Sequence, residues 1–365
     1  MAYYFETRQM CVGYQGKPLI KDIEIALEKG EILTLIGPNG AGKSTILKSI
    51  AGQLKVIAGT VYLDKRELAR MTGAELSRRM AVVFTEKLKT ELMTCEDAVA
   101  TGRYPYTGRF GILSEEDRAI VREAMEFVHV TEIKDRDFTK ISDGQRQRIM
   151  LARAICQEPE ILIMDEPTSY LDVKHKLEFL SVLQELRRRK GLTVIMSLHE
   201  LELAARVSDR ILCVKGEYIE QFGRPEEIFR RGYISSLFGI ETGTFDEENC
   251  TMELEAAAGE PEVFVIAGGG TGRSVYRRLQ RQGTPFVTGI LFQNDLDYPA
   301  AKALAAETIE AESFEPIREE LLEKAREKIA RCKKVICCKE TFGSFEKANE
   351  ELLLFARTAG IMTEI

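Results

Sequence analysis

The sequence predicts a two-domain α/β protein organised around a glycine-rich loop. Three observations support this prediction. Short apolar runs typical of buried strands alternate with helical segments, which is the pattern of a largely parallel sheet. A glycine-rich loop joins one of these strands to a helix near residue 40. After an acidic segment, the alternation of strands and helices begins again near residue 262.

Length and composition describe an ordinary globular chain. The 365 residues suffice for two or three domains, and 44% of them are hydrophobic and 30% charged. We expect no membrane span and no secretion signal, because the sequence has no apolar run of about 18 residues and no basic stretch followed by an apolar one at its start. The eight cysteines are scattered without a C-x-x-C pair, which favours free thiols in a reducing cytosol.

The charge is unevenly distributed along the chain. The formal net charge is −7, and residues 241–365 carry 23 acidic and 15 basic side chains. Residues 1–240 are therefore almost neutral. Nothing in this pattern indicates a nucleic-acid-binding surface, and we expect no nucleic-acid partner.

The glycine-rich loop fits the pattern G-x-x-x-x-G-K-[ST] between a buried strand and a helix. Backbone N–H groups and the helix dipole make such a loop an anion site. Lys43 is expected to reach the outer phosphates of a nucleotide, and Ser44 to bind Mg²⁺. The candidate phosphate-binding residues are Gly37, Pro38, Asn39, Gly40, Ala41, Gly42, Lys43, Ser44 and Thr45.

The other elements of the first domain follow in order. Strands are predicted near residues 3–12, 20–27, 59–64 and 80–84. Helix formers dominate a predicted helical insert at about 86–140, where Ser114 and Asp117 form a capping box. The core then resumes with a helix from Gly144, a strand at 160–164, a helix at 175–189, a strand at 192–197 and a hairpin at 210–221.

Two acidic residues follow the buried strand at 160–164. Asp165 is expected to hold Mg²⁺ through water, and Glu166 to polarise the attacking water as a general base. These roles supply what a phosphate-binding loop lacks for hydrolysis.

With these motifs, residues 2–240 resemble the ATP-binding subunits of ABC transporters. Ile141–Gln147 resembles the family's signature motif, with Asp143 in place of its first glycine, and the segment from Pro167 to Asp172 resembles the stretch with the D-loop. His199 matches the switch histidine, and Tyr14 matches the aromatic residue that stacks on adenine.

The resemblance implies an ABC-type P-loop NTPase core with an antiparallel β subdomain, and an ATPase that uses ATP and Mg²⁺. It implies catalytic roles for Lys43, Glu166 and His199. It also implies a homodimer in which each copy completes the other's site. Residues Ser142, Asp143, Gly144, Gln145 and Asp172 belong to that second half of the site. Further implied partners are a membrane permease and an external substrate-binding protein, which would place the chain in the cytoplasm on the inner face of the membrane.

One position departs from the family pattern. The family usually has Gln after the strand at 80–84, and here Thr85 and Glu86 occupy that region. Thr85 is the nearer positional match, whereas Glu86 has the better oxygen for a metal ion. Both remain candidates for contact with Mg²⁺.

Within the family, Thr101–Thr107 and Ser142–Arg146 are most similar to importers of iron chelates, haem and cobalamin. The first segment lies in the insert, where such subunits dock to the permease. The alternative is a soluble ABC-type ATPase that acts on nucleic acid or ribosomes. Such proteins usually carry two nucleotide-binding domains or a long coiled-coil insertion, and the sequence shows neither. A subunit that only binds ATP is disfavoured by the intact catalytic set.

The first domain is predicted to span residues 1–240, followed by an acidic linker at 241–261 and a small Rossmann-like domain at 262–365. In this last domain, strands are predicted at 262–267, 285–291 and 334–338, and helices at 273–282, 298–307, 317–331 and 345–358. Residues 241–262 carry eight acidic and no basic side chains. The loop Ala267–Gly272 resembles a dinucleotide-binding turn, but Arg273 stands where the third glycine would fall. Two interpretations stay open here: a regulatory site for a small ligand, and a purely structural turn or dimerisation domain.

Overall fold

The computed structural model describes residues 3–84, 93–108, 111–169 and 171–363. The chain divides into two compact units, Met1–Tyr233 and Ile234–Ile365. Every helix in the described ranges is too short or too polar to cross a lipid bilayer.

The first unit combines two sheets with helices. In chain order its described strands are β1 Phe5–Tyr14, β2 Lys17–Leu27, β3 Ile32–Ile36, β4 Ala58–Leu63, β5 Arg66–Glu67, β6 Met80–Val83, β7 Ile161–Met164, β8 Thr193–Ser197, β9 Arg210–Lys215 and β10 Tyr218–Gly223. Its described α-helices are α1 Lys43–Ile50, α2 Gly73–Arg79, α3 Cys95–Ala100, α4 Glu115–Phe127, α5 Asp143–Cys156, α6 Val173–Lys190, α7 Leu201–Val207 and α8 Pro225–Ile228.

One of the two sheets is antiparallel, and the other is mostly parallel. One is antiparallel with the order β2-β1-β4-β5, and the other has the order β10-β9-β3-β8-β7-β6. The second sheet is parallel except for β10, which pairs antiparallel with β9. This arrangement confirms the predicted parallel core and antiparallel subdomain.

Three neighbouring strands of the parallel sheet position the candidate site. All residues of β3, β7 and β8 are buried, as expected for strands covered on both faces. The order β3-β8-β7 brings their carboxyl ends side by side. The phosphate-binding loop, the two acidic residues and the segment with His199 follow these three ends.

The helical insert contains α3, α4 and short 3₁₀ turns. The capping box predicted at the start of α4 is confirmed. Asp117 N–H donates to Ser114 Oγ at 3.1 Å, and Ser114 N–H donates to Asp117 Oδ2 at 3.0 Å. Thr85 and Glu86 lie outside the described residues.

The second unit contains a five-stranded parallel sheet with the order β15-β14-β13-β16-β17. Its described strands are β11 Thr244–Asp246, β12 Thr251–Glu253, β13 Val263–Ile266, β14 Phe286–Phe292, β15 Glu307–Ala311, β16 Lys334–Cys337 and β17 Met362–Thr363. Its described helices are α9 Tyr233–Phe238, α10 Arg273–Arg281, α11 Tyr298–Leu304, α12 Glu319–Arg331 and α13 Lys347–Thr358. The sheet confirms the predicted small α/β fold. From β13 the chain adds β14 and β15 on one side and then β16 and β17 on the other side.

Two segments of this unit differ from the prediction. The predicted acidic linker at 241–261 contains the hairpin β11–β12, whose strands pair from Thr244–Glu253 to Asp246–Thr251. The helix predicted at 298–307 ends at Leu304, and Glu307 begins β15. Only Thr308 and Ile309 of the five residues of β15 favour strands, while its two Glu and its Ala do not, so its conformation depends on pairing with β14.

Candidate active site

The backbone of the phosphate-binding loop requires glycine. Gly37, Gly40 and Gly42 have φ values of 145°, 79° and 94°, which side chains rarely allow. At Gly37 space is also lacking, since an added Cβ would lie 2.2 Å from the carbonyl oxygen of Val214 on β9. The loop therefore passes tightly over the end of the sheet.

The helix that follows this loop begins without a side-chain cap. Gly42 precedes α1, and no side-chain hydrogen bond to the first turn is present in this described segment. By contrast, Ser142 caps α5 and Asp172 caps α6. The first N–H groups of α1 are thus left for an outside acceptor, which fits a bound phosphate.

Lys43 is held against the loop. Its side chain is buried, and Nζ donates to the carbonyl oxygens of Gly37 at 2.7 Å and Pro38 at 3.1 Å. Burial lowers the pKa of Lys43, while the nearby carboxylates of Glu166 and Asp165 act in the opposite direction. A phosphate would add negative charge beside this ammonium group and favour its charged form.

The acidic pair after β7 forms a network with β8. Ser197 Oγ donates to Asp165 Oδ1 at 2.6 Å and accepts from Glu166 N–H at 2.9 Å. Glu166 Oε1 lies 2.5 Å from His199 Nε2, and Glu166 Oε2 accepts from Ser169 Oγ at 3.2 Å. Glu166 has a positive φ of 49°, a conformation that is uncommon outside glycine and frequent at functional sites.

The sequence alone did not identify Ser197 as a site residue. It also did not identify the interacting group formed by Thr168, Lys176 and Glu200, the residue that follows His199 in the chain. Glu200 accepts from Thr168 Oγ1 at 2.9 Å and pairs with Lys176 Nζ at 2.6 Å. These contacts join the segments after β7 and β8. The sequence does show that Ser197 ends a buried strand, which is a common place for a site residue. It does not show that Asp165 and Glu166 are its hydrogen-bond partners, because that depends on the order of the strands in the sheet.

Tyr14 lies beside the phosphate-binding loop. Its hydroxyl is 3.1 Å from Thr45 Oγ1, and 53% of the residue is exposed. An exposed ring anchored next to the loop is able to stack on a planar base.

A magnesium ion fits the donors at this site. Asp165 is buried, and its Oδ1 accepts from Ser197 Oγ, whereas its Oδ2 has no hydrogen-bond donor among the described residues. Ser44 follows Lys43 in the first turn of α1. In the described ranges no group of three or more His, Cys, Asp or Glu side chains is arranged to enclose a metal. Mg²⁺ usually binds through one or two protein oxygens together with water and phosphate, and Asp165 and Ser44 offer such oxygens.

The signature and D-loop residues lie at two other helix starts. Gln145 N–H donates to Ser142 Oγ at 3.2 Å, and Ser142 N–H donates to the Gln145 side chain at 3.1 Å. Asp143 pairs with Arg146 at 2.9 Å, next to Gly144. Ser142 Oγ acts as an acceptor here, so its hydroxyl proton remains able to donate to a phosphate.

Asp172 has a structural role in this chain. It accepts from His175 N–H at 2.9 Å and lies 2.7 Å from His175 Nδ1. The backbone hydrogen bond from His175 lowers the pKa of Asp172. The residue is therefore ionised at neutral pH at the start of α6, where the helix dipole favours a negative charge.

Comparison with known proteins identifies the class. The family described as ABC transporter matches residues 20–169, and the family described as MJ0874 family matches residues 286–363. An uncharacterised ABC transporter ATP-binding protein of Methanocaldococcus jannaschii is 40% identical over 287 residues, which are 78% of this chain and 99% of that protein. The chain belongs to the ABC transporter ATP-binding proteins, and it is an ATPase of that family.

The similarity extends to importer subunits. The iron(3+)-hydroxamate import ATP-binding protein of Bacillus subtilis is 36% identical over 64% of this chain and 87% of its own length. The cobalamin import ATP-binding protein of Halobacterium salinarum is 32% identical over 79% of this chain and 73% of its own length. A dimeric ATP-binding cassette solved with ADP and phosphate covers 60% of this chain and 98% of its own, at 25% identity and a TM-score of 0.53.

The glycine loop of the second unit differs from the first in one respect: its N–H groups already have acceptors. Asp297 Oδ2 accepts from Gly272 N–H at 2.8 Å, and Asp297 Oδ1 accepts from Arg273 N–H at 3.2 Å. Asp295 accepts from Gly269 N–H at 2.9 Å. Asp297 is fully buried, and burial raises its pKa. These carboxylates therefore accept from the same N–H groups that a pyrophosphate would need as donors.

Proposed function

We propose that this protein is the ATPase subunit of an importer for an iron complex or a cobalamin-type compound. Two copies bind two Mg·ATP between them and drive a membrane permease, to which an external binding protein delivers the substrate. The chain then acts in the cytoplasm, at the inner face of the membrane. The observation that carries the proposal is the convergence of Lys43, Asp165, Glu166 and His199 at three adjacent strand ends.

The chemistry proposed for each residue follows from its contacts. Lys43 and the open N-terminus of α1 bind the phosphates, and Tyr14 stacks on the adenine. Glu166 accepts a proton from the attacking water, and His199 holds Glu166 in position. Ser44 and Asp165 would hold Mg²⁺, and a bound Mg²⁺ would stabilise the negative charge of the phosphoryl group during transfer.

The second half of each site comes from the other copy. Ser142, Gly144 and the start of α5 offer donors to the γ-phosphate, and ATP then acts as a ligand shared by two subunits. A dimeric relative with ADP and phosphate supports this arrangement. Hydrolysis removes the shared phosphate and lets the copies separate.

The class of substrate rests on the named relatives for hydroxamate and cobalamin import. The test is reconstitution of the chain with its permease in vesicles, followed by measurement of ATP-dependent uptake. Labelled ferric hydroxamate, haem and cobalamin are the probes. Uptake of one of them, lost in Lys43→Ala, is the expected result. ATP turnover without uptake of any probe, together with co-sedimentation with ribosomes, would contradict the importer function.

For the second unit we propose a regulatory role, in which the imported compound rather than a dinucleotide is the ligand. A dinucleotide is disfavoured because the N–H groups of Gly269, Gly272 and Arg273 already donate to Asp295 and Asp297. Isothermal titration of the full chain, saturated with ATP, against ferric hydroxamate, haem, cobalamin and NAD⁺ tests it. Heat with the compound that is taken up, and none with NAD⁺, is expected, whereas heat with NAD⁺ or with none of the compounds would contradict the proposal.

A further inference from the structure

The first turn of α6 packs against the signature residues of the same copy. Gly144 lies beside His175 of this turn and Leu171 just before it. A Cβ added to Gly144 would be 3.6 Å from Cγ and 3.7 Å from Nδ1 of His175, and 3.6 Å from Cδ2 of Leu171. At these distances the side chains are in van der Waals contact with the Gly144 backbone. The imidazole ring of His175 therefore supports the backbone that is proposed to meet the γ-phosphate in the other copy.

The orientation of the His175 ring is fixed by Asp172. Asp172 Oδ1 lies 2.7 Å from His175 Nδ1 and accepts from His175 N–H at 2.9 Å. Because an ionised carboxylate only accepts, Nδ1 carries the proton of this hydrogen bond. The described part of the chain shows no hydrogen-bond partner for Nε2, and 32% of the side chain is exposed. Of the two ring nitrogens, Nδ1 is thus the one with a structural contact.

The first turn of α6 is itself anchored. Lys176, the next residue after His175, pairs with Glu200 at 2.6 Å, and Glu200 Oε2 accepts from Thr168 Oγ1 at 2.9 Å. Leu171 is buried. The His175 ring therefore belongs to a turn that side chains hold on both sides.

The signature residues have mostly local polar contacts. In the described ranges, Ser142 and Gln145 bond each other, and Asp143 pairs with Arg146 in the same turn. These contacts shape the turn but do not attach it to another element. The packing of His175 on Gly144 joins the turn to α6.

We propose that His175 is a positioning residue, which holds the signature turn in place for the γ-phosphate bound by the other copy. The inference rests on the proposed dimer with shared ATP. His175 acts through its Nδ1 bond to Asp172 and its ring contact with Gly144, and it does not touch the nucleotide. When the ring is removed, the turn is less well positioned for the phosphate, and small displacements of binding groups are costly. ATP-driven dimerisation should suffer, whereas binding of ATP to the copy's own phosphate loop should not.

The test uses three substitutions at position 175 of the full chain, each combined with Glu166→Gln. His175→Asn places an amide N–H near the Nδ1 position, His175→Gln places one near the Nε2 position, and His175→Ala removes both. Dimerisation is followed by light scattering against ATP concentration. The ATP concentration for half-maximal dimerisation should rise about tenfold in the Ala and Gln variants and at most about threefold in the Asn variant. ATP binding by the dilute, monomeric variants should stay within about twofold of the parent.

Lys174→Ala is the matched control, since the neighbouring Lys174 side chain is 78% exposed and pairs with Glu178 only at 3.8 Å. It should dimerise like the Glu166→Gln parent. Thermal melts check folding, and the comparison of Asn with Gln decides the test if His175→Ala folds poorly.

Two results would overturn the role of His175 and leave the proposed dimer intact. One is dimerisation of all three variants at the ATP concentration of the parent. The other is better rescue by Gln than by Asn, because the role would then belong to Nε2. Failure of the Glu166→Gln parent to dimerise with ATP would instead overturn the proposed dimer, and this inference with it.

Discussion

Replacing Glu166 by Gln tests the proposed general base with little change in shape. The amide keeps an oxygen for the bond at 2.5 Å to His199 and a polar atom beside Ser169. It loses the negative charge and the ability to accept a proton from water. General-base catalysis contributes about 10²–10⁴ in rate, which corresponds to about 3–5 kcal/mol in the activation barrier. We therefore expect hydrolysis to fall by a factor in that range.

Binding should survive in this variant, because the phosphate contacts proposed for Lys43 and the start of α1 do not involve Glu166. ATP should then hold two copies together without being consumed. The measurements are steady-state phosphate release at saturating Mg·ATP, and light scattering with and without ATP to detect the dimer. Glu202→Gln on the exposed face of α7 is the matched control. Turnover of Glu166→Gln within threefold of the wild type would remove Glu166 from the role of base.

Three further predictions use other parts of the structure. Gly37→Ala should weaken ATP binding at least tenfold and lower Tm, because its Cβ would meet the Val214 carbonyl and its φ is strained. Gly40→Ala has the backbone strain of a positive φ but open space for its Cβ, so it should have a smaller effect; equal ATP titrations for the two would contradict this. Ser197→Ala should lower kcat about tenfold with KM for ATP within twofold, because both acidic residues lose a shared hydrogen bond, and an unchanged kcat would show that this bond is dispensable. Burial raises the pKa of Asp297 in the folded state, so the folded chain binds this proton more tightly than the unfolded chain. Stability should therefore fall as pH rises from the ordinary carboxyl pKa through the raised one. Asp297→Asn should lack this fall in thermal melts between about pH 4 and 7, and identical profiles for variant and wild type would argue against it.

The sequence was sufficient for those parts of the site that depend on local geometry. The loop from Gly37 to Thr45 needs glycine at fixed positions and a helix after it, and both requirements are visible in the residues themselves. The capping box of Ser114 and Asp117 is local in the same way. Such features are predictable because the interacting atoms are only a few residues apart.

Features that depend on distant pairing were not predictable from sequence. Ser197 meets Asp165 only because β8 lies between β3 and β7. No single segment of the sequence specifies this order of strands. The strand Glu307–Ala311 has a mixed polar sequence that also suits a helix, and its partner β14 decides between them. The buried Arg103 donates to Asp117, to the carbonyl oxygen of Cys156 and to Glu158, which become its neighbours only when the insert packs against the end of α5.

The two glycine loops show why a motif alone does not identify a ligand. Each follows a buried strand and leads into a helix, and each has several glycines with positive φ. At Gly42 the helix begins without a side-chain cap, so an outside anion is the natural acceptor for its N–H groups. At Gly272 the carboxylate of Asp297 already accepts from the first N–H groups of α10. A dinucleotide would have to expel a buried carboxylate and leave it without donors, which is costly. The same local chemistry that favours ATP binding in the first unit therefore disfavours nucleotide binding in the second.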